Sequence, residues 1–190
     1  VRRFWFLLLL AGATPIAAQE PAAAVPFSKS EQLMHAVREI SDDRVAYSGR
    51  WTTPGGDSLA MDCSNTARWL MFRTAGLQLP RTASSQYEYF RTRGKLAKVG
   101  RNPSKLRQML KPGDLLFWKN TYRPKRKPPI THVMIYIGTT PDGRMQMVGS
   151  QGSRGPNVYS FRPEAEMGGY RWFFGLFKTP GRFVAFARPM

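Results

Sequence analysis

Apolar positions between Ser30 and Ser41 recur at helical intervals, at Leu33, Met34, Val37 and Ile40. Just ahead of them, Ser28-Lys-Ser-Glu31 has capping-box spacing, with Phe27 placed as its hydrophobic staple. The pattern predicts an amphipathic helix over about Ser30–Ser41. His35 stands off its apolar stripe, as a surface residue. A second helical pattern runs through Ala67, Leu70, Met71 and Thr74, with Asp62 as a natural N-cap and Gly76 where a C-terminal glycine belongs. The predicted helix is Cys63–Ala75. Between the two lies a turn-rich loop, Trp51-Thr-Thr-Pro-Gly-Gly-Asp-Ser.

Periodicity then shifts. Leu79–Thr82 opens a helical or irregular stretch through Phe90, and a mobile basic segment follows. Lys111-Pro-Gly-Asp114 is a turn by its Pro-Gly pair, leading into a short apolar strand, Leu115–Trp118. The prolines of Tyr122–Pro129 exclude a central strand and make it a basic loop. His132–Ile137 is rich in β-branched and aromatic residues and reads as a strand. Pro141-Asp-Gly turns the chain into another at Met145–Ser150; Ser153–Pro156 is a loop, and Arg182–Arg188 is the last strand. Helices first and at least four short antiparallel strands afterwards define an α+β class.

The N-terminus changes this picture. Val1-Arg2-Arg3 is basic, Phe4–Leu10 is unbroken apolar, and Ala11-Gly12-Ala13 and Ala17-Ala18 are small. That sequence of features reads as a secretory signal peptide over residues 1–18, too short for the about 20 apolar residues of a spanning helix. Residues 19–29 read as a loose mature N-terminus rich in Pro and Ala, and 30–190 as a single domain. The expected location is secreted, periplasmic or extracellular. With 42% hydrophobic and 13% aromatic residues, disorder is excluded as a class.

Charge narrows the partners. The formal net charge is +17, and the excess concentrates between Arg91 and Lys127, where Asp114 is the only acid. Such a field attracts polyanions. No base-reading motif accompanies it, so nucleic acid is not the expected partner. For an exported chain the anions are peptidoglycan and other envelope polymers, or lipid headgroups through a peripheral membrane contact. The alternative is a solvated, solubilising face.

Chemistry rests on a lone cysteine and two histidines. One cysteine forms no internal disulfide, and an unpaired one in an exported chain is either buried and inert or a functional thiol. The set gives no ligand pair at metal spacing, so no metal site is expected. Cys63 falls in the first turn of a helix, where converging N–H groups and the dipole favour thiolate and lower the pKa below the free value of about 8.5. A nucleophilic thiol needs a base. His132, at the start of a strand, is its natural partner, and the Cys63 backbone N–H is placed to hold a developing oxyanion.

Four blocks carry a resemblance. Trp51-Thr-Thr-Pro-Gly-Gly with Met61-Asp62-Cys63-Ser64, then Leu79-Pro-Arg-Thr-Ala-Ser-Ser-Gln86, Lys111-Pro-Gly-Asp-Leu-Leu-Phe117 and His132-Val-Met-Ile-Tyr-Ile-Gly138, in this order, resemble the NlpC/p60 group of papain-like cell-wall peptidases. The resemblance implies a papain-like fold, cleavage of amides in peptidoglycan stem peptides, no cofactor, Cys63 as nucleophile and His132 as base. Asp62, Ser64, Arg81 and Tyr136 are the candidate substrate-binding residues. Two departures stand out. Asn65 replaces the glycine that commonly follows Asp-Cys-Ser. Gly149 falls where a base-orienting His is expected. Gln151, on the same strand face, is the candidate replacement, with Ser150 and Asn157 behind it. These departures suggest an uncharacterised, YfaT-like secreted branch. The rival reading is a non-catalytic envelope-binding module that uses the basic surface.

Overall fold

A computed structural model describes residues 27–42, 61–122, 125–168 and 181–189. The leader, the Trp51–Ser58 loop and part of the Tyr122–Pro129 loop lie outside the described residues. The first helix, α1 (Lys29–Asp42), begins one residue before its expected start. Its capping box is formed: Ser28 N–H donates to Glu31 Oε2 at 2.7 Å and Glu31 N–H to Ser28 Oγ at 3.3 Å. Helix α2 (Cys63–Ala75) has the expected bounds. Asp62 Oδ1 accepts from Asn65 N–H at 2.8 Å, and Gly76, at φ 63°, donates its N–H to Phe72 O at 2.9 Å. Leu79–Phe90 resolves into an extended stretch and α3 (Ala83–Arg91), capped by Thr82.

The segment after α3 corrects the expectation of a mobile basic stretch. It holds β1 (Leu96–Ala97) and α4 (Pro103–Met109). A two-residue strand carries no periodicity to reveal β1, whereas α4 had a local signal that the expectation of a mobile stretch passed over, Asn102 as cap and a proline in its first turn. Next come β2 (Leu115–Lys119), β3 (Ile130–Thr139) and β4 (Met145–Ser150). Strand β3 begins two residues ahead of His132, so the histidine is its third residue rather than its first. A short 3-10 turn then leads into β5 (Pro156–Phe161), an edge strand whose proline stands at its first position, where no ladder N–H is needed. Helix α5 (Pro163–Gly168) and β6 (Arg182–Ala187) complete the described chain.

The six strands form one antiparallel sheet in the order β1-β6-β2-β3-β4-β5. Alternation along each strand builds two different faces. Leu115 and Phe117 of β2 and Val133, Ile135 and Ile137 of β3 pack with Leu33, Val37, Ala67, Leu70 and Met71 from α1 and α2. Leu116, Trp118, Met134, Tyr136 and Met147 face the other way, with Leu106 of α4 and Met167 of α5. Each large side chain so buried contributes roughly 1.5–3 kcal/mol. The architecture is α+β and papain-like: a helix carrying the cysteine lies on an antiparallel sheet carrying the histidine.

Candidate active site

Helix α2 brings Cys63 to β3. The sulfur lies 3.9 Å from Thr131 O and is hydrogen-bonded to the Val133 backbone, so it rests against the main chain on either side of His132. The β3–β4 pairing runs from Ile135, opposite Val148, to Thr139, opposite Met145, and the sulfur meets β3 ahead of it, at Thr131. Ser150, the last residue of β4, donates its hydroxyl to Met61 O at 2.9 Å and ties down the residues that lead into Cys63.

The thiol is sealed, which corrects the expectation of a lowered pKa. Cys63 is 4% exposed among aliphatic neighbours, and burial pushes its pKa up to about 12, with the Asp62 carboxylate adding to the shift. Hydrogen bonds from the Val133 and Ser64 backbones and the Arg81 charge oppose the rise without cancelling it. The helix terminus is present, but desolvation of a thiolate outweighs it. At rest the group is a neutral thiol, not the open, ionised one anticipated.

His132 lies across the β3 main chain from the sulfur. Its ring meets Trp118 at 5.5 Å between centroids and lines a cavity of about 250 Å³ together with Gln151, Met147 and Glu166. Burial lowers its pKa to about 4, against the Gln151 side chain and the Asp62 charge, which both favour protonation. The ring is therefore a neutral imidazole, and its buried Nε2 has no hydrogen-bond partner. No hydrogen bond joins it to Sγ. Thiol and imidazole are neighbours through one strand, each neutral, with the proton still on sulfur.

Of the three candidates for orienting the base, Gln151 is the one that lines the same cavity as the imidazole and acts on its ionisation, favouring the protonated form. Geometry explains this. Extending the Ile135–Val148 register outward places Gln151 opposite His132, and its backbone continues the extended conformation of β4 (φ −148°, ψ 145°). Gly149 falls opposite Met134 by the same register, and a Cβ there would come within 2.5 Å of Met134 Sδ. The thioether fills the space that a larger residue at 149 would need. Ser150 is engaged with Met61, and exposed Asn157 accepts from Val158 N–H at 2.7 Å.

The candidate substrate-binding residues divide. Arg81 clamps Asp62 through two contacts, 3.0 Å to Oδ1 and 2.8 Å to Oδ2, and bonds Ser64 Oγ at 2.9 Å; Ser64 in turn donates to Asp62 at 2.9 Å. These three fix the start of α2 around the cysteine. Tyr136 is buried farther along β3, its hydroxyl bonded to Thr139, and does not line the His132 cavity. Gln86, which the sequence marks only as the end of the Leu79–Gln86 block, has a structural role. It is fully buried and donates to Ser64 O at 2.8 Å and Pro80 O at 2.9 Å, locking α3 to the first turn of α2. Glu166 escaped the sequence reading altogether. It accepts from the Trp118 indole at 2.9 Å, and burial raises its pKa. It sits on a short helix with no motif around it, so no sequence signal pointed to it. Among the described residues, no three His, Cys, Asp or Glu side chains converge as a metal ion would require.

No curated protein matches the chain. The sequence profile described as NlpC/P60 family matches residues 47–162, a span that includes α2, α3 and β1 through β5. It covers well over half of the 190 residues and takes in both Cys63 and His132. The chain therefore belongs to the NlpC/P60 family, papain-like proteins that are generally cysteine peptidases or amidases acting on cell walls.

Proposed function

We propose that this protein is an exported cysteine hydrolase that cleaves amide bonds in peptidoglycan stem peptides, with Cys63 as nucleophile, His132 as general base and Gln151 as the group that orients the base. The observation that supports this most is the unpartnered Nε2 of His132, neutral at physiological pH, on the strand against which the Cys63 sulfur rests. A neutral imidazole can take a proton; an imidazolium cannot.

In the proposed reaction the S–H proton passes to His132 Nε2 as sulfur attacks the substrate carbonyl. The Cys63 N–H, in the first turn of α2, where the Asp62 side chain takes the Asn65 N–H and not this one, stabilises the oxyanion. Collapse expels the amine, which takes the proton from the imidazolium and leaves a thioester on Cys63. Water attacks the thioester while His132 takes its proton; the acid product leaves and sulfur regains the proton. Because both groups start neutral and apart, substrate entry has to bring imidazole and thiol together, and the resting enzyme is protected from oxidation. The narrower, YfaT-like placement rests on Asn65 and Gly149 alone.

Mass-spectrometric profiling of purified peptidoglycan tests the proposal. Wild-type protein releases new stem-peptide fragments and Cys63→Ala releases none; equal release by both removes Cys63 from the chemistry. The sealed thiol favours one alternative, a binding module that retains the fold. Co-sedimentation with peptidoglycan without any fragment release supports that alternative.

A further inference from the structure

Strands β2 and β6 end on two cations facing each other. The register sets Lys119 directly opposite Arg182, an arrangement that costs stability when nothing lies between like charges. Both are half-buried, and both line a cavity of about 340 Å³ that they share with Lys98. Among the described residues the lining contains no Asp or Glu. Among the described residues none of the three cations has an ion-pair or hydrogen-bond partner, although other basic residues of the chain find theirs: Arg107 pairs with Glu164 and Arg188 with Asp114. Glu88, the acid next to Tyr87 of the cavity wall, is paired with Arg91 instead. Three cations with no partner among the described residues converge on one concavity, a charge arrangement complementary to an anion.

We propose that this cavity is an oxyanion site that takes a phosphoryl group, free or carried on an envelope polymer. Three positive charges match the two or three of a phosphate or pyrophosphate better than the single charge of a carboxylate. The guanidinium of Arg182 can present a planar fork to two phosphoryl oxygens while Lys119 and Lys98 act as point charges. Phe183, Tyr87 and the Pro128-Pro129 pair supply an apolar wall that excludes water and strengthens each contact. The site is separate from the His132 cavity: consecutive residues of β2, whose side chains alternate between faces, line the two, Trp118 the one and Lys119 the other. An anchored phosphoryl group would hold an envelope polymer beside β3. The inference does not depend on hydrolysis, because binding alone reads it.

The test is calorimetric titration of the full chain with pyrophosphate at constant ionic strength, alongside melting curves. Wild-type protein is expected to bind pyrophosphate and to melt at a higher temperature in its presence. Lys119→Gln and Arg182→Gln should each weaken binding about tenfold or more, as loss of a charge-assisted contact does. Without anion, Lys119→Gln should be at least as stable as wild type, because the facing repulsion is gone. That readout keeps the proposal open to failure even if binding is weak. Equal binding by wild type and variants overturns the proposal. So does stabilisation matched by chloride, or a Lys119→Gln protein less stable than wild type without anion. A phosphate-bearing polymer that competes with pyrophosphate assigns the site to the polymer; pyrophosphate binding without such competition assigns it to free phosphates.

Discussion

The two faces of the sheet are built from different materials. The face under α1 and α2 is mainly aliphatic and closed, with Leu33, Ala67, Leu70, Val133 and Ile135 wholly shielded from solvent and three aromatic rings (Tyr87, Phe90, Phe117) among them, and it buries the Cys63 thiol. The opposite face is aromatic and methionine-rich, and it opens into the cavity that His132 shares with Trp118, Gln151 and Glu166. Each environment keeps its own reactive group uncharged, the thiol by dense packing and the imidazole by partial burial. The contrast shows that a helix N-terminus does not by itself ionise a cysteine. Desolvation sets the resting state, and activation belongs to the moment when something enters the open face.

Substitutions at the reactive groups should have the largest effects. Cys63→Ala is expected to lower stem-peptide hydrolysis by about four orders of magnitude or more, as loss of a nucleophile does in a comparable pair. His132→Ala should cost about 10²–10⁴-fold, the usual contribution of a positioned base. Both variants should keep the wild-type circular dichroism spectrum. Gln151→Ala should lower kcat roughly tenfold to a hundredfold with little change in KM, below the loss of the base itself. A Gln151→Ala enzyme as fast as wild type would show that the imidazole needs no orientation from β4.

Packing differences come next. Leu70→Ala on the closed face should destabilise by about 2–5 kcal/mol in urea unfolding. Met147→Ala should cost less, near the lower end of that range at about 2 kcal/mol, because its side chain already borders a cavity and is adaptable. Equal losses would erase the distinction between the faces.

The pH dependence is smaller and has a definite sign. His132 is held near 4, below its ordinary 6.5, so the unfolded chain takes up the proton first as pH falls. Its contribution is complete above 6.5, declines as pH drops from 6.5 to about 4, and is flat below. Cys63 is held near 12, above its ordinary 9.0, so stability declines as pH rises from 9 toward 12. A plateau between 6.5 and 9 is expected in chemical denaturation, with the acid limb flattened in His132→Gln. Iodoacetamide should accordingly label Cys63 in the folded protein far more slowly than a free thiol at pH 8, with the rate still climbing above pH 9.

Much of this arrangement was legible in the sequence, for identifiable reasons. Asp62 and Gly76 bracket α2 because their side-chain and backbone requirements are local, and the helix has the bounds they imply. Gln151 could be singled out because strand parity is strict and two residues beyond Gly149 returns to the same face. The ionisation of Cys63 was not legible, because desolvation depends on Ala67, Val133 and other residues distant in sequence that close over it. Nor was Glu166, which reaches the cavity only through the pairing of Trp118 with a helix forty-eight positions later. The facing of Lys119 and Arg182 is likewise a property of register, invisible until β2 and β6 are aligned.

Intact-protein mass spectrometry after acid quench, with a soluble stem-peptide fragment as substrate, addresses the catalytic proposal most directly. Wild-type protein should carry a mass increment equal to the acyl portion of the fragment, located on Cys63 by digestion, and Cys63→Ala and His132→Ala should carry none. Fragment cleavage that proceeds without any adduct and survives in Cys63→Ala would contradict it, as would the absence of both adduct and cleavage in the wild-type protein.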